Sequence, residues 1–208
     1  MITARNLHAK LAILGARFLY QQACELVACE FSTSMNGLPG ELVFDAVGLD
    51  FTRRQVRVLE AKTSRSDFLA DDRIADGYGH VADQCWLICP DGLVLPEELP
   101  DRWGLLYFCP DVAELTYLQG ARRLRRRVRL GEVQSTRTEL GTAWRRTRKP
   151  GEGCLVARQA RRLVPEAPLS SHWDAMVRAV SRKLTRSTLG IQYRNGKPAP
   201  QPVECLEL

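Results

Sequence analysis

The sequence predicts an α/β fold, a mixed β-sheet flanked by helices, and three observations carry that prediction. The chain opens on an amphipathic helical stretch. Two alternating strand segments then follow across a short connection. Two brief runs, CWLIC and GLLYFC, are apolar throughout and so require cover on both faces of a sheet.

Between Arg5 and about Leu26, the residues Leu7, Leu11, Leu14, Phe18, Leu19 and Ala23 recur at helical spacing, with Thr3 or Asn6 as the cap. An extended segment at Leu26–Phe31 leads into Ser-Thr-Ser-Met-Asn-Gly-Leu-Pro-Gly, which has loop composition. Glu41–Leu49 and Gln55–Lys62 read as strands. Asp50–Arg54 is short enough to join them as an antiparallel hairpin. Ser64-Arg65-Ser66-Asp67 starts a helix, with Asp67 available to the first-turn amides, and this helix is expected to run to about Val81. Cys85–Cys89 and Gly104–Cys109 are strands expected to stop at Pro90 and Pro110, and Glu114–Leu118 is a last short strand.

After Gly120 the texture changes. Residues 1–120 hold ten Lys and Arg against seventeen Asp and Glu, whereas residues 121–208 hold twenty against seven. Ala121–Arg129 carries six arginines in nine residues, and Trp144–Lys149 carries four basic residues in six. Ser171–Leu184 is a helix with an apolar stripe of Trp173, Met176, Val177 and Val180. The expected organisation is therefore a core over 1–120, a basic extension with one helix over 121–190, and a flexible tail over 191–208. Such an acidic block followed by a basic one points to an acidic site and a separate polyanion-binding surface. The alternative is a solvated arginine-rich segment. Trp144 and Trp173 either stack on bases or sugars or belong to a core.

Several classes are excluded. No apolar run approaches the ~20 residues needed to span a bilayer. No basic segment followed by an apolar core marks a secretion signal. Seven cysteines without tandem spacing suit a reducing cytoplasm better than a disulfide framework. Cys24/Cys29 and Cys85/Cys89 lack histidines at zinc-finger distance, and neither a phosphate-binding G-x-x-x-x-G-K-[ST] nor a G-x-S-x-G is present.

The chemistry concentrates at Glu60-Ala61-Lys62. Residues two apart on a strand point the same way, so Glu60 and Lys62 share a face with Val56 and Val58. Asp45 lies in the preceding strand among Val43, Phe44, Ala46 and Val47, where a carboxylate needs compensation. A divalent cation is one such partner. Two carboxylates from adjacent strands and a backbone carbonyl form a hard oxygen site for Mg²⁺ or Mn²⁺, whose bound water, beside a lysine ammonium, attacks a phosphodiester. The alternative is a structural ion pair of Lys62 with Glu60 or Asp45.

An acid on one strand and Glu-x-Lys on the next resembles the PD-(D/E)XK nuclease superfamily, with its restriction-endonuclease-like core. The strings GELVFDAVG, EAKTSRSDFLADD (Glu60–Asp72) and ELPDRWGLLYF (Glu98–Phe108) are similar to the MmcB-like group of small DNA-repair nucleases, over roughly residues 5–110. The resemblance implies that Asp45, Glu60 and the Ala61 carbonyl hold the metal, with Lys62 orienting the water. Ser64, Arg65 and Asp67 then touch a phosphate or support Lys62, and Glu41 is a further ligand or a supporting acid. One departure is that Phe44, not proline, precedes Asp45.

The expected function is metal-dependent hydrolysis of DNA phosphodiesters in repair, recombination or phage DNA metabolism, with homodimerisation compatible with it. Arg122, Arg123, Arg125, Arg126, Arg127, Arg145 and Arg146, together with Arg65, are the expected contacts to the DNA backbone, with little sequence preference. The competing expectations are a nuclease fold that binds nucleic acid without turnover, and an interaction or assembly protein whose two halves bind different partners.

Overall fold

Six strands lie side by side in chain order: β1 (Leu26–Ser32), β2 (Val43–Asp50), β3 (Gln55–Ala61), β4 (Gln84–Pro90), β5 (Gly104–Gln119) and β6 (Arg122–Arg129). Two more, β7 (Arg145–Arg146) and β8 (Gly151–Arg158), also pair with β5, completing an eight-stranded sheet. The computed structural model describes residues 4–32, 43–76, 82–119, 122–140, 145–146, 151–161, 170–188, 193–194 and 197–198. The pairs β1–β2, β2–β3 and β5–β6 are antiparallel, while β3–β4 and β4–β5 are parallel. The sheet is thus mixed and flanked by helices, the α/β fold the sequence predicts. The expected Glu41–Leu49 strand begins at Val43, and Glu41 lies outside the described residues.

Helix α1 (Ala4–Gln21) covers one face. Its Leu11, Phe18 and Leu19 pack on Ala46, Leu59, Ala61, Trp86, Ile88 and Leu106. The approach is close at Gly15, where an added Cβ would come within 2.4 Å of a Leu59 methyl. α1 ends about five residues before the predicted Leu26, because Ala23 adopts the left-handed conformation (φ 66°) and the Cys24 N–H donates back to the Leu19 carbonyl at 3.2 Å.

The opposite face is covered by α5 (Ser170–Thr188). The expected stripe docks there: Trp173, Met176 and Val180 join Val47, Val56, Val58 and Leu87 in a second core layer, with Val177 packed against it. Trp173 is therefore a core residue, edge-on to Phe51 at 5.5 Å, and offers no stacking platform for bases. Trp144 lies outside the described residues. As expected for cover on both sides, Cys85–Cys89 are all buried and divide between the two layers.

Three expectations are corrected. The helix from Ser64 does not run to Val81; it breaks into α2 (Arg65–Leu69) and α3 (Arg73–Asp76), with residues 77–81 outside the described set. Asp71 causes the break. Its side chain accepts the Arg73 N–H at 3.2 Å and its carbonyl accepts the Ile74 N–H, offering the backbone an alternative to continued helix.

Pro110 does not stop a strand: β5 runs sixteen residues through it. The β5–β8 register shifts between Cys109 and Val112, so Pro110 sits in a bulge where no ladder N–H is required.

The boundary drawn at residue 120 falls inside a hairpin. Arg122–Arg129 pair residue for residue with Val112–Gln119, and β8 runs along the other edge of β5. Much of the arginine-rich segment is thus part of the same sheet. Helix α4 (Val133–Leu140) follows, with Val133 packed on Ala113, Leu115 and Val128. The expected tail contributes only the short pair Tyr193–Arg194 with Lys197–Pro198, and most of it lies outside the described residues.

Candidate functional site

The β2–β3 ladder ends at the pair Ala46↔Leu59. One step further, the Asp45 side chain takes over: its Oδ2 accepts the Ala61 N–H at 2.7 Å. A carboxylate thus occupies the place of a backbone carbonyl and holds the end of β2 against the middle of Glu60-Ala61-Lys62. Asp45 Oδ1 lies 3.4 Å from His8 Nε2 on α1, and the Asp45 side chain is 15% exposed. The structure thus brings the predicted acid to the predicted Glu-x-Lys peptide.

Glu60 is 3% exposed and alternates with Val56 and Val58, which places it on the α5 side of the sheet. Asp45 instead reaches His8 on the α1 side, so the two carboxylates approach the Ala61 peptide from different directions. The Ala61 carbonyl follows its N–H toward β2, as strand geometry requires. Two carboxylates and one carbonyl are the hard oxygen donors that Mg²⁺ or Mn²⁺ takes together with waters, so the chemistry of the donors fits such an ion, while a shared ion requires one of the two carboxylates to turn toward the other's side of the sheet. Among the described residues, no group of three or more His, Cys, Asp or Glu side chains is gathered as a metal cluster.

Lys62 departs from the expected arrangement. Its ammonium lies 2.6 Å from Asp71 Oδ2 and 3.6 Å from Asp67 Oδ1, with the Lys62 and Asp71 side chains only 6% and 5% exposed. Asp67 thus stands near Lys62, but Asp71 is the principal partner. Burial works against the Asp71 carboxylate, yet hydrogen bonds from Arg73 and Lys62 outweigh it and pull its pKa from 3.8 down to about 2.

Ser64 is spent on structure, capping α2 by accepting the Asp67 N–H at 3.2 Å. Arg65 is held by both carboxylate oxygens of Glu98 and donates to the Leu93 carbonyl. Its hydrogen bonds draw the Glu98 carboxyl down to about 2. Arg65 is thus turned toward the β4–β5 connection, and its expected part in DNA contact requires leaving Glu98.

The predicted arginines separate into two groups. Arg122, Arg123, Arg125, Arg126 and Arg127 are exposed along β6. Arg145 and Arg146 form β7 opposite Thr116 and Leu115. Sequence reasoning missed His8 and Asp71. Asp71 stands in the quoted EAKTSRSDFLADD string, and a signal for it existed: a lysine at a buried strand end requires a nearby acid. His8 carries no such signal, because only the packing of α1 brings it to Asp45.

No family profile and no curated sequence matches the chain. Among solved structures, the fold is similar to the SPO1766 protein of unknown function from Silicibacter pomeroyi, with a TM-score of 0.53 and 20% identity over 86% of this chain and 87% of that one. The likeness concerns the fold alone.

Proposed function

We propose that this chain is a divalent-metal-dependent nuclease of the PD-(D/E)XK type, akin to the MmcB-like DNA-repair group, which hydrolyses DNA phosphodiesters in the cytoplasm. The observation that carries the reading is the 2.7 Å bond from the Ala61 N–H to Asp45, which holds the acid of one strand at the centre of Glu-x-Lys on the next. Asp45, Glu60 and the Ala61 carbonyl would hold Mg²⁺ or Mn²⁺, with one carboxylate turning past the Ala61 peptide to meet the other. When bound, such an ion lowers the pKa of a water and offsets phosphate charge. Lys62 exchanges its ion pair with Asp71 for a hydrogen bond to the attacking water or a phosphate oxygen. The water oxygen forms the new P–O bond and gives up a proton to solvent, the bond to the departing sugar oxygen breaks, and that oxygen takes up a proton from solvent.

The 2.6 Å engagement of Lys62 by Asp71 favours a second reading, a nuclease fold that binds DNA without turnover. Incubating labelled linear, nicked, branched and single-stranded DNA with Mg²⁺ or Mn²⁺ separates the two. Cleavage is expected, reduced at least about a hundredfold in Asp45→Ala and Lys62→Met. Salt-sensitive binding with no cleavage on any substrate establishes the second reading instead.

A further inference from the structure

The β6 arginines border a cleft of about 690 Å³ between that strand and the C-terminal end of α1. Arg125, Arg126 and Arg127 line it, Gln21 closes its helical side, Phe18 contributes to its apolar wall, and Glu114 sits within it. Arg125 and Arg127 project from the same strand face and share the Glu114 carboxylate at 3.9 Å each, with side-chain exposures of 67% and 38%. Arg127 also donates to Gln21 Oε1 at 3.1 Å. Two guanidiniums on one carboxylate leave the cleft positive.

Its aromatic content narrows the ligand. Grooves for single strands pair basic residues with exposed aromatic platforms on which bases stack. Here Phe18, the aromatic residue among the described lining of the cleft, is 5% exposed and packed edge-on to Trp86 at 4.7 Å, so its ring is closed to a base. What the cleft presents is guanidinium and amide donors, chemistry for phosphate oxygens.

The helix beside it continues the track. Lys10, Arg17 and Gln21 recur at seven and four residues and so lie along one side of α1. Toward the N-terminal end of that helix, His8 meets Asp45. His8 and Gln21 are thirteen residues apart, an axial rise of about 20 Å, with His8 on a different side of α1 from Lys10, Arg17 and Gln21. That distance matches about six base pairs along a duplex.

We propose that the cleft is a phosphate clamp for duplex DNA, gripping the backbone about six base pairs from the Asp45 end of the sheet. The position relative to Asp45 and the choice of DNA over RNA rest on the nuclease reading; the clamp on a duplex backbone does not. The test is therefore made in EDTA, where no metal-dependent cleavage occurs, with a blunt duplex, the matching single strand and the same sequence as duplex RNA, each titrated across salt concentrations.

The full chain is expected to prefer duplex DNA. Arg125→Ala/Arg127→Ala is expected to lower the slope of log affinity against log salt by about 2. Arg125→Lys/Arg127→Lys should keep most of that slope. Glu114→Gln, which removes a negative charge from the cleft, is expected to tighten binding several-fold, a gain that misfolding does not produce. An unchanged slope in the alanine pair, or a preference for single strands or RNA duplex, overturns the clamp. Asp45→Ala that binds normally but no longer cleaves leaves the clamp standing, whereas intact binding with no cleavage by the unaltered chain removes only the nuclease reading.

Discussion

Two ends of one sheet handle charge in opposite ways. At the β2–β3 end, Lys62 and Asp71 meet at 2.6 Å with side chains 6% and 5% exposed. Along β6, Arg126 meets Glu139 at 3.1 Å with side chains 50% and 62% exposed. The separations are similar, but the surroundings are not. Water and salt screen the second pair, while the first is largely withdrawn from both. The contrast teaches that the Arg126 charge on β6 is disposable for folding and available to a ligand, whereas charge beside Glu60-Ala61-Lys62 is part of the architecture.

The sharpest way to break that comparison is to remove one buried partner. Asp71→Asn keeps an acceptor oxygen but removes the negative charge nearest the Lys62 ammonium, leaving the more distant Asp67 carboxylate, and a loss of about 3–5 kcal/mol in unfolding free energy is expected from urea titration. Lys62→Met should cost less, because Asp71 keeps its bonds from Arg73 at 2.7 and 2.8 Å. If the two substitutions cost the same, or if Asp71→Asn costs under about 1 kcal/mol, a range typical of surface pairs, the buried end is not energetically distinct and the contrast fails.

Acidification sharpens the same point with a smaller effect. The Asp71 carboxyl is lowered from 3.8 to about 2 in the folded chain. A group with a depressed folded-state pKa stabilises at pH values above its unfolded pKa and loses that contribution as the pH falls through the folded one. The contribution is thus complete above about pH 5 and fades between about pH 4 and 2, amounting to about 2 kcal/mol. The stability gap between the unaltered chain and Asp71→Asn is expected to narrow by that amount over this range. A gap independent of pH contradicts the Lys62–Asp71–Arg73 account.

The elements legible in the sequence were those whose packing is local and periodic. The Leu7–Leu19 spacing, the hairpin and the apolar CWLIC run each state which side faces a core. Asp45 and Glu60 stood out for a related reason, as polar residues set in apolar strands. What stayed hidden depends on partners far along the chain. Pro110 reads as a stop until β8 supplies the register shift that accommodates it. Arg122–Arg129 reads as a basic extension outside the core, since only pairing with β5 makes an arginine run into a strand. The helix after Ser64 reads as continuous because its break arises from Asp71, which also serves Lys62.

At the exposed end, Arg126→Ala is expected to change unfolding free energy by no more than about 0.5 kcal/mol. Its partner Glu139 lies on α4, and both side chains are half or more exposed, so either one left alone is readily solvated. The opposing residue on β5 is Leu115, which is buried with Ala113 and Val128, so the strand keeps its apolar anchor whichever residue stands at 126. Raising salt should leave the difference near zero, because little attraction exists to be screened. A loss above about 1 kcal/mol, a size measured for pairs withdrawn from water rather than for surface pairs, would mean that Arg126 packs its stem on the sheet. β6 would then share the architectural role of the Lys62 end, and its arginines would not be free to leave for a phosphate.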